Sequence, residues 1–301
     1  VTTPVPLAQQ NMLTIPFVTV ATFRAHPTYL DTNNLRGASS VQADQDAELN
    51  NCLLMASAQV ENFCNQPIQA HISTDFDRTF VDRFGRLKHK AEDGPVRLLQ
   101  SYTYATTLSQ VTSVGTPVFR VESDTQMIVE LANSASSWTG ALQFGVPASS
   151  QELFTSWTYV AGYANATLTN SPILGATSIT VSNPTGIFAG DTLRIWEPGK
   201  EESVVVGSSW AGQNTTPFTS ASIPVSATQY AHAAGAGVTG FDQNLMIATI
   251  YYAIDGLQRY GTSSSAWPSA KVKSATGKRA EDASAWEQKA MRLLLTYRRP
   301  R

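Results

Sequence analysis

The segment Asp44–Cys64, DQDAELNNCLLMASAQVENFC, sets Leu49, Leu53, Ala56, Val60 and Phe63 at steps of three and four residues. Those steps trace one face of a 3.6-residue period and predict an amphipathic helix, with Asp44 or Asp46 as N-cap and Asn65 and Pro67 as terminators. A second helix is expected over 242–260, opened by Asp242. Its residues Leu245, Met246, Ile247, Ala248, Ile250, Tyr251, Tyr252 and Ile254 leave almost no polar face. Such a helix is buried on most sides, within its own domain or by a neighbouring subunit. A third, near 281–297, carries Trp286, Ala290, Leu293, Leu294 and Tyr297 on one stripe with basic residues beside it.

Outside the helices the pattern is β-type. Short runs at His71–Phe80, Val96–Leu99, Leu108–Val114, Val118–Val121, Met127–Leu131, Leu142–Phe144 and Phe154–Val160 are separated by turn residues and predict a twisted sheet or small sandwich. A second block alternates at Ser178–Ser182, Asp191–Trp196 and Glu202–Val206, with turns at Asn183–Gly186 and Pro198–Gly199. The expected fold is therefore α+β. It has a helical core (helices near 44–64, 242–260 and 281–297), a β-sheet region, and a small β-barrel or sandwich inserted over 167–240. Residues 1–43, with Pro4, Pro6, Pro16, Pro27 and an apolar patch from Ile15 to Val20, read as an extended N-terminal arm that docks onto something. The core would comprise 44–166 plus 241–301, and the Ser/Gly/Lys stretch from Gly261 to Gly277 reads as a flexible connection.

The 301 residues suffice for two modest domains, and the low charged fraction of 15% excludes a disordered polyelectrolyte. A net charge of -2 provides no global field to draw the chain onto nucleic acid. Charge is polarised nonetheless: residues 271–301 carry nine basic and three acidic side chains, net +6, which leaves -8 for the rest. Cys52 and Cys64 fall about 18 Å apart on one helix and cannot pair with each other. With no charged-then-apolar leader, and with Leu245–Ile254 half the length of a bilayer span, the expectation is a soluble protein made in reducing cytoplasm.

Catalytic and metal-binding patterns are weak. Gly207-Ser-Ser-Trp-Ala211 lacks the last glycine of a nucleophile elbow, and Gly277-Lys278 lacks the spacing of a phosphate loop. His26, His71, His89 and His232 show no metal-ligand spacing and read as surface or satisfied histidines. Asp31-Thr-Asn-Asn34 reads as a turn, and the pairs Asp75/Asp77 and Glu201/Glu202 as solvated faces. The expectation is a protein that is not an enzyme and uses no cofactor and no metal.

Several segments in a fixed order carry a family signal. Asp46-Ala-Glu-Leu49 leads to Ala56-Ser-Ala-Gln-Val-Glu-Asn-Phe-Cys64 and Pro67-Ile-Gln-Ala70. Pro95-Val-Arg-Leu-Leu99, Leu108–Val114, Trp157-Thr-Tyr-Val-Ala-Gly-Tyr163 and the apolar helix Asn244–Gln258 follow. The order resembles that of head-tail connector (adaptor) proteins of tailed double-stranded DNA bacteriophages, over about 44–166 and 241–301. In shorter relatives the Ala-Gly-Tyr strand leads almost directly into the apolar helix, so residues 167–240 are an insertion by comparison.

The resemblance implies a structural virion protein, assembled in the host cytoplasm and located at the capsid-tail junction. It implies a homo-oligomeric ring, usually a dodecamer, below the portal protein, which extends the DNA channel for transient DNA passage and offers a surface to the next tail or stopper protein. The resemblance assigns the inserted block no role; its Trp196, Trp210 and Phe218 read either as its own core or as an outward contact for capsid protein or tail neighbours, and no membrane is involved. Lys289, Arg292, Arg298, Arg299 and Arg301 would contact the portal or DNA. Leu245, Ile250, Tyr251, Tyr252 and Ile254 would form the subunit interface, with Phe17 and Tyr297 buried against neighbours on assembly. The rival reading is a β-rich carbohydrate- or cell-surface-binding module with Trp196 and Trp210 as sugar platforms and Phe218 nearby.

Overall fold

The computed structural model describes residues 13–28, 30–33, 35, 40–82, 86–105, 112–114, 118–130, 152–212, 220–258 and 276–299. Among them the chain is mixed α and β, with four helices and several small antiparallel sheets. It divides into two compact units, 1–69 with 163–301, and 70–162. This division sets 70–162 apart and groups the strands after residue 165 with the helices. The expected strand at Leu142–Phe144, Phe218, and the stretch 259–275 lie outside the described residues.

In the first unit the helices are α1 (Val20–Ala25), α2 (Gln42–Cys64), α3 (Gln243–Gln258) and α4 (Thr276–Leu294). α2 buries Leu49, Leu53, Ala56, Ser57, Val60 and Cys64, the stripe that the 3.6-residue period demands. It starts earlier than expected, at Gln42, with Val41 at the N-cap offering no side-chain acceptor; Asp44 and Asp46 therefore lie inside the helix, where Asp46 accepts from Gln42 Nε2 and forms an ion pair with Arg24 of α1. It ends at Asn65, whose left-handed φ of 54° stops the helix. α3 opens as expected, with Asp242 Oδ1 accepting from Leu245 N at 3.2 Å. Ser57 makes the arm's attachment specific: its Oγ accepts from Phe17 N at 3.0 Å and donates to Leu53 O at 2.8 Å.

One buried cluster joins Phe17, Val18 and Phe23 with Leu53 and Val60 of α2, Leu245 and Ile254 of α3, Leu294 of α4, and Trp196. The arm is thus neither wholly extended nor a projection: it forms α1, and its Phe17 packs edge-on against Phe241 at 5.4 Å. The strands of this unit are β8 (Asn165–Thr167), β9 (Ser178–Val181), β10 (Thr192–Trp196), β11 (Glu202–Val205), β12 (Ala221–Pro224) and β13 (Gly237–Thr239). They form one sheet in the order β11-β10-β13-β8 and a ladder β12-β9 around their own apolar cluster of Ile179, Leu193, Ile195, Val204, Ile223 and Val238. The arm approaches β13 closely at Gly237, where a Cβ would lie 3.3 Å from Thr19 Cγ2.

The second unit holds β1 (His71–Phe80), β2 (Arg86–Lys90), β3 (Val96–Ala105), β4 (Thr112–Val114), β5 (Val118–Val121), β6 (Gln126–Glu130) and β7 (Glu152–Ala161). Two antiparallel sheets, β1-β7-β3-β4 and β2-β6-β5, share one core that includes Leu87, Tyr102, Met127, Val129, Leu153, Trp157 and Tyr159.

Asp75 of β1 corrects the sequence expectation, because strand alternation turns it into this core, whereas Asp77, at the edge of the same face, stays half-exposed. Asp75, 7% exposed, accepts from Tyr159 Oη at 2.9 Å and from Glu92 N at 3.0 Å. Asp77 Oδ2 lies 3.2 Å from His89 Nδ1, and His89 Nε2 lies 2.7 Å from Tyr102 Oη. Each buried polar group is thereby offered the partner that burial requires.

Two outcomes follow from this packing. Leu53→Ala is expected to cost about 2–5 kcal/mol, and Met55→Ala, on the exposed face of the same helix, within about 0.5 kcal/mol; urea unfolding of both variants checks the assigned face. Burial pushes the His89 imidazole below its usual range, against the opposing pull of Asp77. The folded chain therefore binds that proton less tightly than the unfolded chain. This stabilisation is complete above pH about 6.5 and is lost as pH falls through the folded-state value. His89→Asn should flatten the dependence of the urea midpoint on pH below about 6.5, and an unchanged slope would remove His89 as its cause.

Candidate interaction site at the C-terminal helix

The last segment is held in place by its own backbone. After α4 the chain turns at 295–297, with Tyr297 N donating to Leu294 O at 2.9 Å, and runs back over the end of α2. There Gln66 Nε2 donates to Tyr297 O at 2.8 Å, Asn65 Nδ2 to Arg299 O at 3.1 Å, and Arg299 N to Cys64 O at 3.0 Å. The left-handed turn at Asn65 is what frees the Cys64 carbonyl and aims the two amide side chains at the tail. The Tyr297 ring meets Tyr163 edge-on at 6.3 Å, and burial beside Asp242 pushes its hydroxyl pKa upward.

Around this anchorage lie the basic residues singled out in the sequence. Lys289 is exposed with its Nζ 4.3 Å from the centre of the Trp286 ring, and Arg298 is exposed with its guanidinium 5.3 Å from the Phe63 ring. Arg292 is exposed in the last turn of α4, where a cation complements the helix dipole. Arg299 is half-buried, and Arg301 lies outside the described residues. Leu295, 59% exposed, stands beside the cations in sequence and is a feature the sequence reading missed. An exposed leucine looks ordinary in sequence, and only the turn that ends α4 shows that it faces solvent.

The other group of predicted site residues is placed differently. Leu245, Ile250, Tyr252 and Ile254 are each at most 5% exposed and belong to the chain's own buried cluster, while half-buried Tyr251 rests on Trp286 at 5.1 Å. The cover that a nearly all-apolar α3 needs comes from α2, α4 and the arm, so its composition no longer argues for a neighbouring subunit. Phe17 and Tyr297 likewise pack within the chain.

The remaining candidates carry structural duties. Trp196 is buried with Nε1 donating to Thr239 Oγ1 at 2.8 Å and presents no sugar platform, while Trp210 is half-buried with Nε1 donating to Ile187 O at 2.9 Å. His71 lies 3.0 Å from Asp93, and His232 lies 2.9 Å from Glu197 and 2.6 Å from Glu202. Glu202 is 7% exposed rather than solvated, because the His232 ring and the backbone amides of Gln229 and Tyr230 supply its partners. Burial drives the Cys64 thiol up to about 12, far from a reactive thiolate. Asn33 N donates to Asp31 Oδ1, the turn expected there. In the first unit a cleft of about 580 Å³ is walled by Ile15, Pro16, Val20 and Pro198, and its ionic edge is the Arg24–Asp46 pair with Glu197. Among the described residues no group of three or more His, Cys, Asp or Glu side chains could hold a metal ion, and no helix is long and apolar enough to cross a membrane.

Comparison with protein-family models, curated proteins and solved structures finds no match to this chain.

Gln66→Ala removes one of the three bonds that hold the tail. It should cost about 1 kcal/mol and speed amide hydrogen exchange at 295–299 while leaving α2 protected. Unchanged exchange there would mean that Gln66 does not anchor the tail.

Proposed function

We propose that the chain is a head-tail connector of a tailed double-stranded DNA bacteriophage: a structural virion protein that binds below the portal as a homo-oligomeric ring, usually twelve-membered, and passes the channel on to a tail or stopper protein. The observation that carries the reading is the pinned C-terminal segment. Three hydrogen bonds hold it against the end of α2 and the Tyr297 ring rests on Tyr163, so Lys289, Arg292, Leu295 and Arg298 project from a rigid support. An exposed leucine among cations suits a protein partner with an acidic rim and an apolar pocket, because interface energy concentrates in anchors set inside a polar surround. This favours the portal over DNA as the partner of α4.

The order of segments supports the same reading. The Ala56–Cys64 motif lies on α2, Pro95–Leu99 enters β3, Trp157–Ala161 completes β7, and Asn244–Gln258 is α3. The finer architecture belongs to this proposal too. The helices form the connector's core, and residues 167–240 form a small barrel or sandwich; bridges at both edges of the β11-β10-β13-β8 sheet, Leu168 to Val181 and Val206 to Val225, favour the barrel. The carbohydrate-binding reading is weakened by the burial of Trp196, one of its two platforms.

Electron microscopy and mass measurement of the protein mixed with filled capsids bearing their portal test the proposal. The wild-type chain should add a ring at the portal vertex. Lys289→Glu with Arg292→Glu should weaken binding at least about ten-fold, equivalent to about 1.4 kcal/mol. Failure of the wild-type chain to associate with any portal-bearing particle would dismiss the connector reading.

A further inference from the structure

Strand β2 reads Arg86-Leu-Lys-His-Lys90, with Leu87 and His89 buried in the core of the second unit and Arg86, Lys88 and Lys90 exposed on the other side. Alternate residues of a strand lie about 6.8 Å apart, which is the spacing along this cationic row. In the β2-β6-β5 sheet Lys88 is opposite Ile128, and Ile128 is opposite Arg120. Exposed Arg120 therefore lies in the same transverse row as Lys88, two strands or about 10 Å away. None of Lys88, Lys90 and Arg120 forms an ion pair with a described residue. Arg86 stands in register with Glu130 and is left out of the count, and exposed Glu122, whose N donates to Gln126 O, lies in the transverse row of Lys90 as the acidic edge of the face.

We propose that this outer sheet face, centred on Lys88, Lys90 and Arg120, binds the phosphate backbone of nucleic acid without regard to sequence. The spacing and the neighbours argue for phosphate rather than for an acidic protein. Half-buried Ile128 is the apolar side chain between the cations, and among the described residues no exposed leucine or aromatic side chain stands with it to act as an anchor. A protein interface draws its energy from such anchors, whereas phosphate contacts need only spaced cations. Among the described residues the exposed aromatics of this unit, Phe76 and Phe80, stand on β1 in the other sheet and not on the cationic face, where they could stack on bases. The unit as a whole holds nine acidic and seven basic side chains, so attraction is local to this face. The inference goes beyond the connector reading and does not rest on it.

The test is fluorescence anisotropy of the full chain with a labelled mixed-sequence duplex of about 30 base pairs and, in parallel, a polyglutamate peptide, between about 50 and 200 mM salt. Three phosphate contacts predict duplex binding that weakens about forty-fold across that range. In Lys88→Gln with Lys90→Gln the same salt change should weaken binding only about four-fold, and in Arg120→Gln about twelve-fold. These side chains are exposed, and circular dichroism confirms that each variant is folded. A second duplex of unrelated sequence should bind equally. The proposal is overturned if the lysine variant keeps the wild-type salt dependence, if neither duplex binds at the lowest salt, or if polyglutamate binds and the duplexes do not.

Discussion

Helix α3 carries apolar side chains on nearly every side, and most of the first unit answers the need to keep them from water. α2 presents its Leu49–Val60 stripe to the shared cluster, α4 adds Ala290 and Leu294, and the arm adds Phe17, Val18 and Phe23. Each fully buried aliphatic side chain contributes roughly 1.5–3 kcal/mol, so a helix with this many has no comparably favourable place outside such a cluster. The course of the chain ends follows from it. The arm is drawn inward and fixed by Ser57, and the tail beyond α4 is turned back onto Asn65 and Gln66. The surface offered by α4 is what remains outside once that packing is complete.

The β regions solve a different problem, the burial of titratable groups. Their buried histidines, His71, His89 and His232, each sit beside a carboxylate. A charge or a strong dipole removed from water costs free energy unless a partner is supplied at the same moment. These pairs link residues distant in sequence, as His232 links the loop before β13 to Glu197 and to Glu202 at the start of β11. Their chemistry resembles that of acid-base sites, yet the side chains lie within packed cores and act as clasps.

Net charge conceals two cationic surfaces that differ in kind. The α4 surface combines cations with exposed Leu295 on a pinned support, a combination suited to a protein partner. The β2-β6-β5 face presents evenly spaced cations with little apolar surface between them, a combination suited to a polyanion. The first was visible as the +6 C-terminal segment. The second is cancelled in any sum over its unit and emerges only when strand register brings β2 and β5 to either side of β6.

Where periodicity was strong, the sequence by itself determined local structure. Leu49, Leu53, Ala56 and Val60 specified α2, Asp242 marked the start of α3, and alternation specified β9, β10 and β11, because a buried stripe or face must repeat with the period of its element. Strand β2 escaped because its inward positions include His89, a residue whose burial depends on Asp77 and Tyr102 from other strands. The same distinction separates the basic C-terminus, legible as composition, from the site it forms. Tertiary packing alone decided that α3 is covered within its own chain, that Trp196 faces inward, and that Leu295 faces outward. Local periodicity states which side of an element avoids water, but which surface covers that side depends on contacts between segments far apart in the chain.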